Sequence, residues 1–266
     1  MDIPDYTLLD RPELVSRTFH LDSDGIPSSF GRWEPLPEGA SSHVVDASGV
    51  ALACRLFFHG DNSPSILFFH GNGEVVSDYN NIYPHTYAQG INLFAAEYRG
   101  YGSSFGAPKY STMLSDAHHI YRYFMEYLGQ GSLGGKVFVM GRSLGAASTL
   151  ELAAYYQGDL DGIIIESGSS GMNGWERWFT GAGELAKLRG LQENHIEKLK
   201  GIRIPLLTIH GERDNMVPVE RAFELQDMVS SEVKRLKIIP NVGHNTIFLH
   251  GMQPYMEALG SFVRST

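Results

Sequence analysis

The chain reads as an α/β protein with a mostly parallel, eight-stranded sheet and helices on both faces. Three observations predict this. From residue 65 onward, short apolar runs alternate with stretches whose apolar residues recur at helical spacing, the pattern of strand–helix–strand units that makes strands parallel. The run at 137–140 is continuously apolar, which suits a strand buried on both faces. Two earlier strand-like runs, 42–45 and 50–58, are joined by Asp46-Ala47-Ser48-Gly49, a hairpin signal, so the sheet opens antiparallel.

Taken in order, residues 1–40 read as an N-terminal extension to one domain spanning 41–266. Within the extension, 11–19 predicts a short helix. Residues 27–39 read as loop because prolines and glycines punctuate them, and Trp33 is expected to anchor that loop by packing. After the hairpin come a strand at 65–69, a helix at 74–89, a strand at 93–98 and a helix at 112–128. The strand at 137–140 follows with its helix, then strands at 162–166 and 205–210, a helix at 219–229, a strand at 233–239 and a helix at 247–263. The connection from Glu166 to Pro205 is longer than a simple βα unit needs. In it, 168–174 reads as flexible, Trp175, Trp178 and Phe179 form an aromatic cluster, and 184–200 reads as amphipathic helix. Two readings of 168–201 stay open. One is a small lid-like insertion whose aromatic face covers a substrate pocket; the other is an ordinary crossover helix with its tryptophans in the core.

The 266 residues suffice for one large α/β domain with a sizeable core. A formal charge of −9 argues against nucleic acid or anionic membrane as the main partner. The single cysteine, Cys54, rules out an internal disulfide and any cysteine-based metal motif, and its apolar neighbours predict a buried thiol. The first residues hold no apolar signal region, and no apolar segment reaches membrane-spanning length. The expectation is a cytoplasmic protein with no integral membrane association; the oligomeric state stays open.

The chemistry centres on Gly141-Arg142-Ser143-Leu144-Gly145, a G-x-S-x-G between the strand at 137–140 and a run of strong helix formers. A strand turning directly into a helix holds the middle residue in strain with its side chain exposed. Glycine is needed two places either side, where a Cβ would collide. That makes Ser143 the candidate nucleophile. Leu144 would offer its backbone N–H at the helix start, where negative charge is favoured. Residues 102–106 also fit G-x-S-x-G around Ser104, but no helix follows directly: Ala107-Pro108 continues as loop, and Pro108 blocks helix at the residue before it.

A serine hydroxyl needs a base. Two later strands end in loops that carry Asp214 and His244, at the same sheet edge as Ser143, where open α/β sheets place their sites. Asp214 has an alternative reading as a helix cap, and Glu166 is an alternative acid. Among eleven histidines, His59, His70 and His210 sit beside glycines at strand ends, where turn or core roles suffice. No His/Asp/Glu cluster has metal-ligand spacing, so neither metal nor cofactor is expected. The loop His70-Gly71-Asn72-Gly73-Glu74 is glycine-rich enough to bring its backbone close to a substrate. The N–H groups of Asn72 and Leu144 would form an oxyanion hole, although the same loop also reads as a plain tight turn.

Taken together, H-G-N at 70–72, Y-R-G-Y-G at 98–102, G-R-S-L-G at 141–145, H-G-E-R-D-N-M-V-P at 210–218 and G-H-N at 243–245 resemble the α/β-hydrolase superfamily. More narrowly they resemble its Bem46-like serine hydrolase branch, from about residue 41 to the C-terminus. The resemblance implies the α/β-hydrolase fold, with Ser143, Asp214 and His244 as the triad. It also implies Asn72 and Leu144 at the oxyanion positions and 98–102 as a structural loop beside the pocket. Family members act on esters, thioesters and amides. The expectation is a carboxylesterase-like serine hydrolase with a small-molecule acyl substrate. A peptidase or amidase, or a non-catalytic binding protein, stands as the alternative.

Overall fold

The apolar runs become eight strands of one sheet in the computed structural model, which describes residues 3–23, 25–131, 133–169, 171 and 175–266. The strands are β1 (Ala40–Ala47), β2 (Val50–Phe57), β3 (Ser65–Phe69), β4 (Asn92–Ala96), β5 (Val137–Arg142), β6 (Gly162–Glu166), β7 (Leu206–Gly211) and β8 (Lys234–Ile239). Their spatial order is β1-β2-β4-β3-β5-β6-β7-β8. The β1–β2 and β2–β4 pairs are antiparallel and all later pairs parallel. The hairpin turn is closed by the Asp46 carboxylate, which accepts the Gly49 N–H at 2.7 Å.

Strands β3 to β6 are buried end to end apart from Val137, because each feeds two cores. Leu67, Phe69, Phe94, Val139, Ile163 and Ile165 point to one face. That face is covered by α1 (Pro12–Phe19), α3 (Tyr110–Gln130), α4 (Gly145–Tyr156), α5 (Ala182–Gly201) and α6 (Glu220–Met228). Ile66, Phe68, Leu93, Phe138, Met140 and Ile164 point to the other. There lie α2 (Tyr83–Ala88), α7 (Ile247–His250) and α8 (Met252–Ser265). From β3 the chain steps outward to β4, then crosses back over β3 to β5 and continues the opposite way. The strand order therefore reverses between β3 and β5, the place where open α/β sheets leave a crevice at their C-terminal edge.

Two expected helices are broken. Residues 74–89 form a 3-10 turn, Val76–Asn81, and then the short α2. Asp78 caps the Val75 N–H at 3.0 Å, and Pro84 enters at the head of α2, lacking an N–H to continue the earlier turn. Residues 247–263 split at Gly251, whose N–H closes α7 on the Ile247 carbonyl at 2.8 Å.

The first forty residues are less of an appendage than the sequence suggests. Tyr6, Leu9, Leu14 and Phe19 are buried in the core. The Tyr6 hydroxyl donates to Glu151 of α4 at 2.8 Å and accepts from the buried Lys198 ammonium of α5 at 2.7 Å. Trp33 is not the expected anchor: it is 60% exposed, and its neighbour Arg32 ties the loop down through Gly73 O and Asp78. Cys54 is buried, and that burial pushes its thiol pKa up. Among the described residues no helix is long and apolar enough to cross a membrane.

Candidate active site

At the end of β5 the chain turns into α4 within Ser143 and Leu144. Ser143 has φ +50, a left-handed conformation that is strained for a residue carrying a Cβ. Its N–H donates to Glu166 O at 2.8 Å. A Cβ on Gly141 would lie 2.2 Å from Gly145 O, and one on Gly145 would lie 2.1 Å from Phe69 O. Both glycines are thus required by backbone contact, α4 being pressed against the end of β3. The other G-x-S-x-G serine, Ser104, is buried and accepts the Ala53 N–H at 2.9 Å. Its hydroxyl is a strap onto β2.

The loops after β7 and β8 are stitched together. Glu212 N–H donates to Ile239 O at 3.0 Å and Arg213 N–H to Val242 O at 2.8 Å. A Cβ on Gly211 would sit 2.5 Å from Val242 O, so glycine is what lets the loops meet. This contact brings together Asp214 and His244. His244 Nδ1 donates to Asp214 Oδ2 at 2.7 Å, and Nε2 is 3.0 Å from Ser143 Oγ. With the proton on Nδ1, Nε2 is an acceptor for the serine hydroxyl. Asp214 Oδ1 accepts the N–H groups of Met216 and Val217 at 2.9 and 2.8 Å. One carboxylate therefore caps the turn at 214–217 and bonds the imidazole; the N-cap of α6 itself is Val219, so Asp214 is a turn cap and not the helix cap of its alternative reading. Burial disfavours its charge, but the bonds from His244 and the Val217 and Met216 amides prevail and keep its pKa below the ordinary value. Glu166, the alternative acid, is fully buried and bound by both oxygens to Arg142 at 2.6 Å.

Phe69 of β3 pairs with Gly141 of β5. Asn72 and Leu144 each lie three residues beyond that pair, so parallel register carries both backbones past the same sheet edge. Among the described residues neither N–H has a backbone acceptor. The Asn72 side chain is used elsewhere: it donates to Thr18 O at 2.7 Å and accepts from Tyr101 OH at 2.6 Å. His70 is buried against Glu97 at 2.9 Å, a core role.

A cavity of about 130 Å³ opens beside Ser143, walled by Thr18, Tyr110, Leu150, Trp175 and His195. Of the three aromatic residues expected at the pocket, Trp175 lines it, edge-on to Tyr110. Phe179 is buried in the core under the Arg11 guanidinium, and Trp178 packs between Arg17 and Arg177. In the stretch with two open readings, α5 links β6 to β7 and buries Leu188 and Leu199. The flexibility expected at 168–174 concerns in part residues 170 and 172–174, outside the described residues. Thr18, Tyr110 and His195 come from remote parts of the chain, and no local motif marks them. Among the described residues no group of three or more His, Cys, Asp or Glu is placed to hold a metal ion.

Comparison with known proteins agrees with this architecture. Residues 60–189 match the family model described as Serine aminopeptidase, S33. The chain is 30% identical over 210 residues to the uncharacterized protein YfhR of Escherichia coli O157:H7, covering 76% of this chain and 70% of that one. It is 26% identical over 209 residues to Protein bem46 of Schizosaccharomyces pombe, covering 76% and 68%. The share of a relative that it spans varies, from 61% of one to 81% of another. In fold it is similar to the Pyrococcus furiosus esterase Pf2001, with a TM-score of 0.69 at 16% identity over 90% of this chain and 98% of that one. The chain belongs to the α/β-hydrolase superfamily, in its Bem46-like branch.

Proposed function

We propose that the protein is a serine hydrolase that cleaves a carboxylic ester, or secondarily a thioester, through a Ser143 acyl-enzyme. The reading rests above all on the hydrogen-bonded line from Asp214 through His244 to Ser143. Ser143 Oγ attacks the acyl carbon while His244 Nε2 takes the hydroxyl proton, and Asp214 stabilises the imidazolium. The N–H groups of Asn72 and Leu144 hold the oxygen that becomes negative; losing one such donor typically costs about 3 kcal/mol of transition-state stabilisation. As the carbon–oxygen bond breaks, His244 returns the proton to the leaving alkoxide. Water then attacks the acyl-enzyme with His244 as base, and the acid departs as Ser143 regains its proton. The reaction so written uses side chains and backbone alone. Residues 41–266 supply the catalytic domain, and the described residues before it act as a clasp across it.

The family model's description raises aminopeptidase activity as a second reading. Recognition of a free α-amine calls for a carboxylate facing the substrate, and among the described residues no Asp or Glu lines the cavity beside Ser143. Its walls suit a short or aromatic acyl group instead. The test is fluorophosphonate labelling together with hydrolysis of p-nitrophenyl esters from acetate to palmitate, by wild type and Ser143→Ala. Labelling and turnover that vanish in Ser143→Ala, with short chains favoured, support the ester reading. Labelling without ester turnover moves the substrate to amides or thioesters. Neither labelling nor turnover overturns the proposal in favour of a binding protein.

A further inference from the structure

The residue before the candidate nucleophile is an arginine, and the steric needs of the turn do not explain it. Gly141 and Gly145 already meet those needs. Arg142 is nonetheless 3% exposed, at the end of a strand buried between two cores. Its guanidinium reaches three segments that are far apart in sequence. Nε donates to Glu74 Oε1 at 2.6 Å, on the loop that carries Asn72. Nη1 donates to both oxygens of Glu166 at 2.6 Å, at the end of β6. Nη2 donates to the backbone carbonyl of His244 at 3.0 Å. The far oxygen of Glu74 accepts the Gly71 N–H and the Tyr79 hydroxyl, both at 2.7 Å, so the connection runs on into the loop backbone. Phe248 lies against the guanidinium, 5.2 Å from its carbon to the ring centre.

We propose that Arg142 is a positioning residue, a buried tether that holds the Asn72 loop and the His244 backbone in register with Ser143. The proposal rests on the serine hydrolase reading for its catalytic consequence, while the tether itself is a matter of structure. A buried ion pair adds little net stability over well-packed apolar side chains. What it does supply here is geometry: one planar fork spans three loops, and only the adjacent peptide separates it from the nucleophile. Lysine can neutralise one of the two carboxylates, but a single ammonium on a flexible stem cannot span all three segments. A misplacement of reacting groups on the order of 1 Å lowers rates by roughly 100-fold.

The test compares wild type, Arg142→Lys and the double variant Arg142→Met/Glu166→Gln, which removes the buried charges of the tightest pair together and guards against misfolding. Melting temperature, ester kinetics and amide hydrogen exchange are measured on each. In Arg142→Lys the fold persists, kcat falls by roughly 100-fold and KM changes by less than about threefold. In both variants, amides in segments 70–75 and 243–247 exchange roughly tenfold faster or more, while those of the β1–β2 hairpin keep their rates. If lysine restores kcat along with melting temperature, or if exchange is unchanged or rises uniformly, Arg142 is a structural ion pair and the proposal falls. If wild type neither labels nor turns over, the hydrolase reading fails separately, and hydrogen exchange still decides the tether.

Discussion

His244 answers to two neighbours with opposite demands. Asp214 needs a donor at Nδ1, and Ser143 needs an acceptor at Nε2. One neutral tautomer satisfies both, and the carboxylate selects it. Asp214→Asn keeps the shape but offers an amide N–H toward Nδ1, which favours the other tautomer. We predict that kcat drops by about 10⁴-fold in Asp214→Asn, with labelling slowed in parallel. A drop below tenfold would mean that another acid orients the imidazole. Trp175 tests the pocket at the same scale. It lines the cavity with its ring edge-on to Tyr110, centroids 5.1 Å apart, so Trp175→Ala lengthens the space beside Ser143. The expected outcome is a rise in the rate ratio of octanoate to acetate ester. Unchanged ratios with a lower melting temperature would make Trp175 a packing residue.

At the scale of elements, α1 and the segment before α5 clasp one another beside the cavity. Arg11 stacks on Phe179 and pairs with Glu184 at 3.1 Å, and Arg17 stacks on Trp178. The C-terminal end of α1 supplies Thr18 O and Phe19 O, which hold the side chains of Asn72 and Tyr101. The clasp is pinned from below by the Tyr6 hydroxyl between Glu151 and Lys198. Tyr6→Phe removes that hydroxyl without opening a cavity. We expect it to destabilise the protein by about 1–3 kcal/mol in urea unfolding, since both bonds go to charged groups, while kcat stays near wild type. An unmoved unfolding midpoint would show that the N-terminal segment is held by apolar packing alone.

Over the whole molecule, buried or half-buried carboxylates are held ionised in two places, Glu74 and Asp214 in loops at the sheet's C-terminal edge and Glu151 between helices α4 and α5. Burial opposes the charge of Glu74, Glu151 and Asp214, but their partners prevail, and each pKa lies below its ordinary value. Those partners are Arg142 for Glu74, His118 and Lys198 for Glu151, and His244 with two amides for Asp214. In the range between the lowered and ordinary values the unfolded chain binds more protons than the folded one. Stability therefore rises with pH there. Their contribution is complete above the ordinary carboxylate range and is lost as pH falls through the lowered values. The urea midpoint of wild type minus that of Glu74→Gln should hold on acidification until about pH 4.5 and then shrink. A difference that stays constant or widens below that pH would contradict the ion-pair account of Glu74.

Strand order along the chain, the G-x-S-x-G context and the loops carrying Asp214 and His244 were legible in the sequence because each depends on neighbours within a few residues. Glycine at 141 and 145 and a helix-forming run behind them describe a tight strand-to-helix turn wherever it is found. The helix boundaries at Pro84 and Gly251 had local signals too, overshadowed by apolar periodicity across them. A lone arginine closing an apolar strand was a signal that a buried partner must exist, but not which one. Tertiary structure alone decided that Arg142 binds Glu74, Glu166 and the His244 carbonyl. It also decided that Thr18, Tyr110 and His195 wall the cavity, and that Trp175 rather than Phe179 faces it. The reason is that such contacts are set by parallel register and helix packing between distant segments, and no local pattern of residues carries that information.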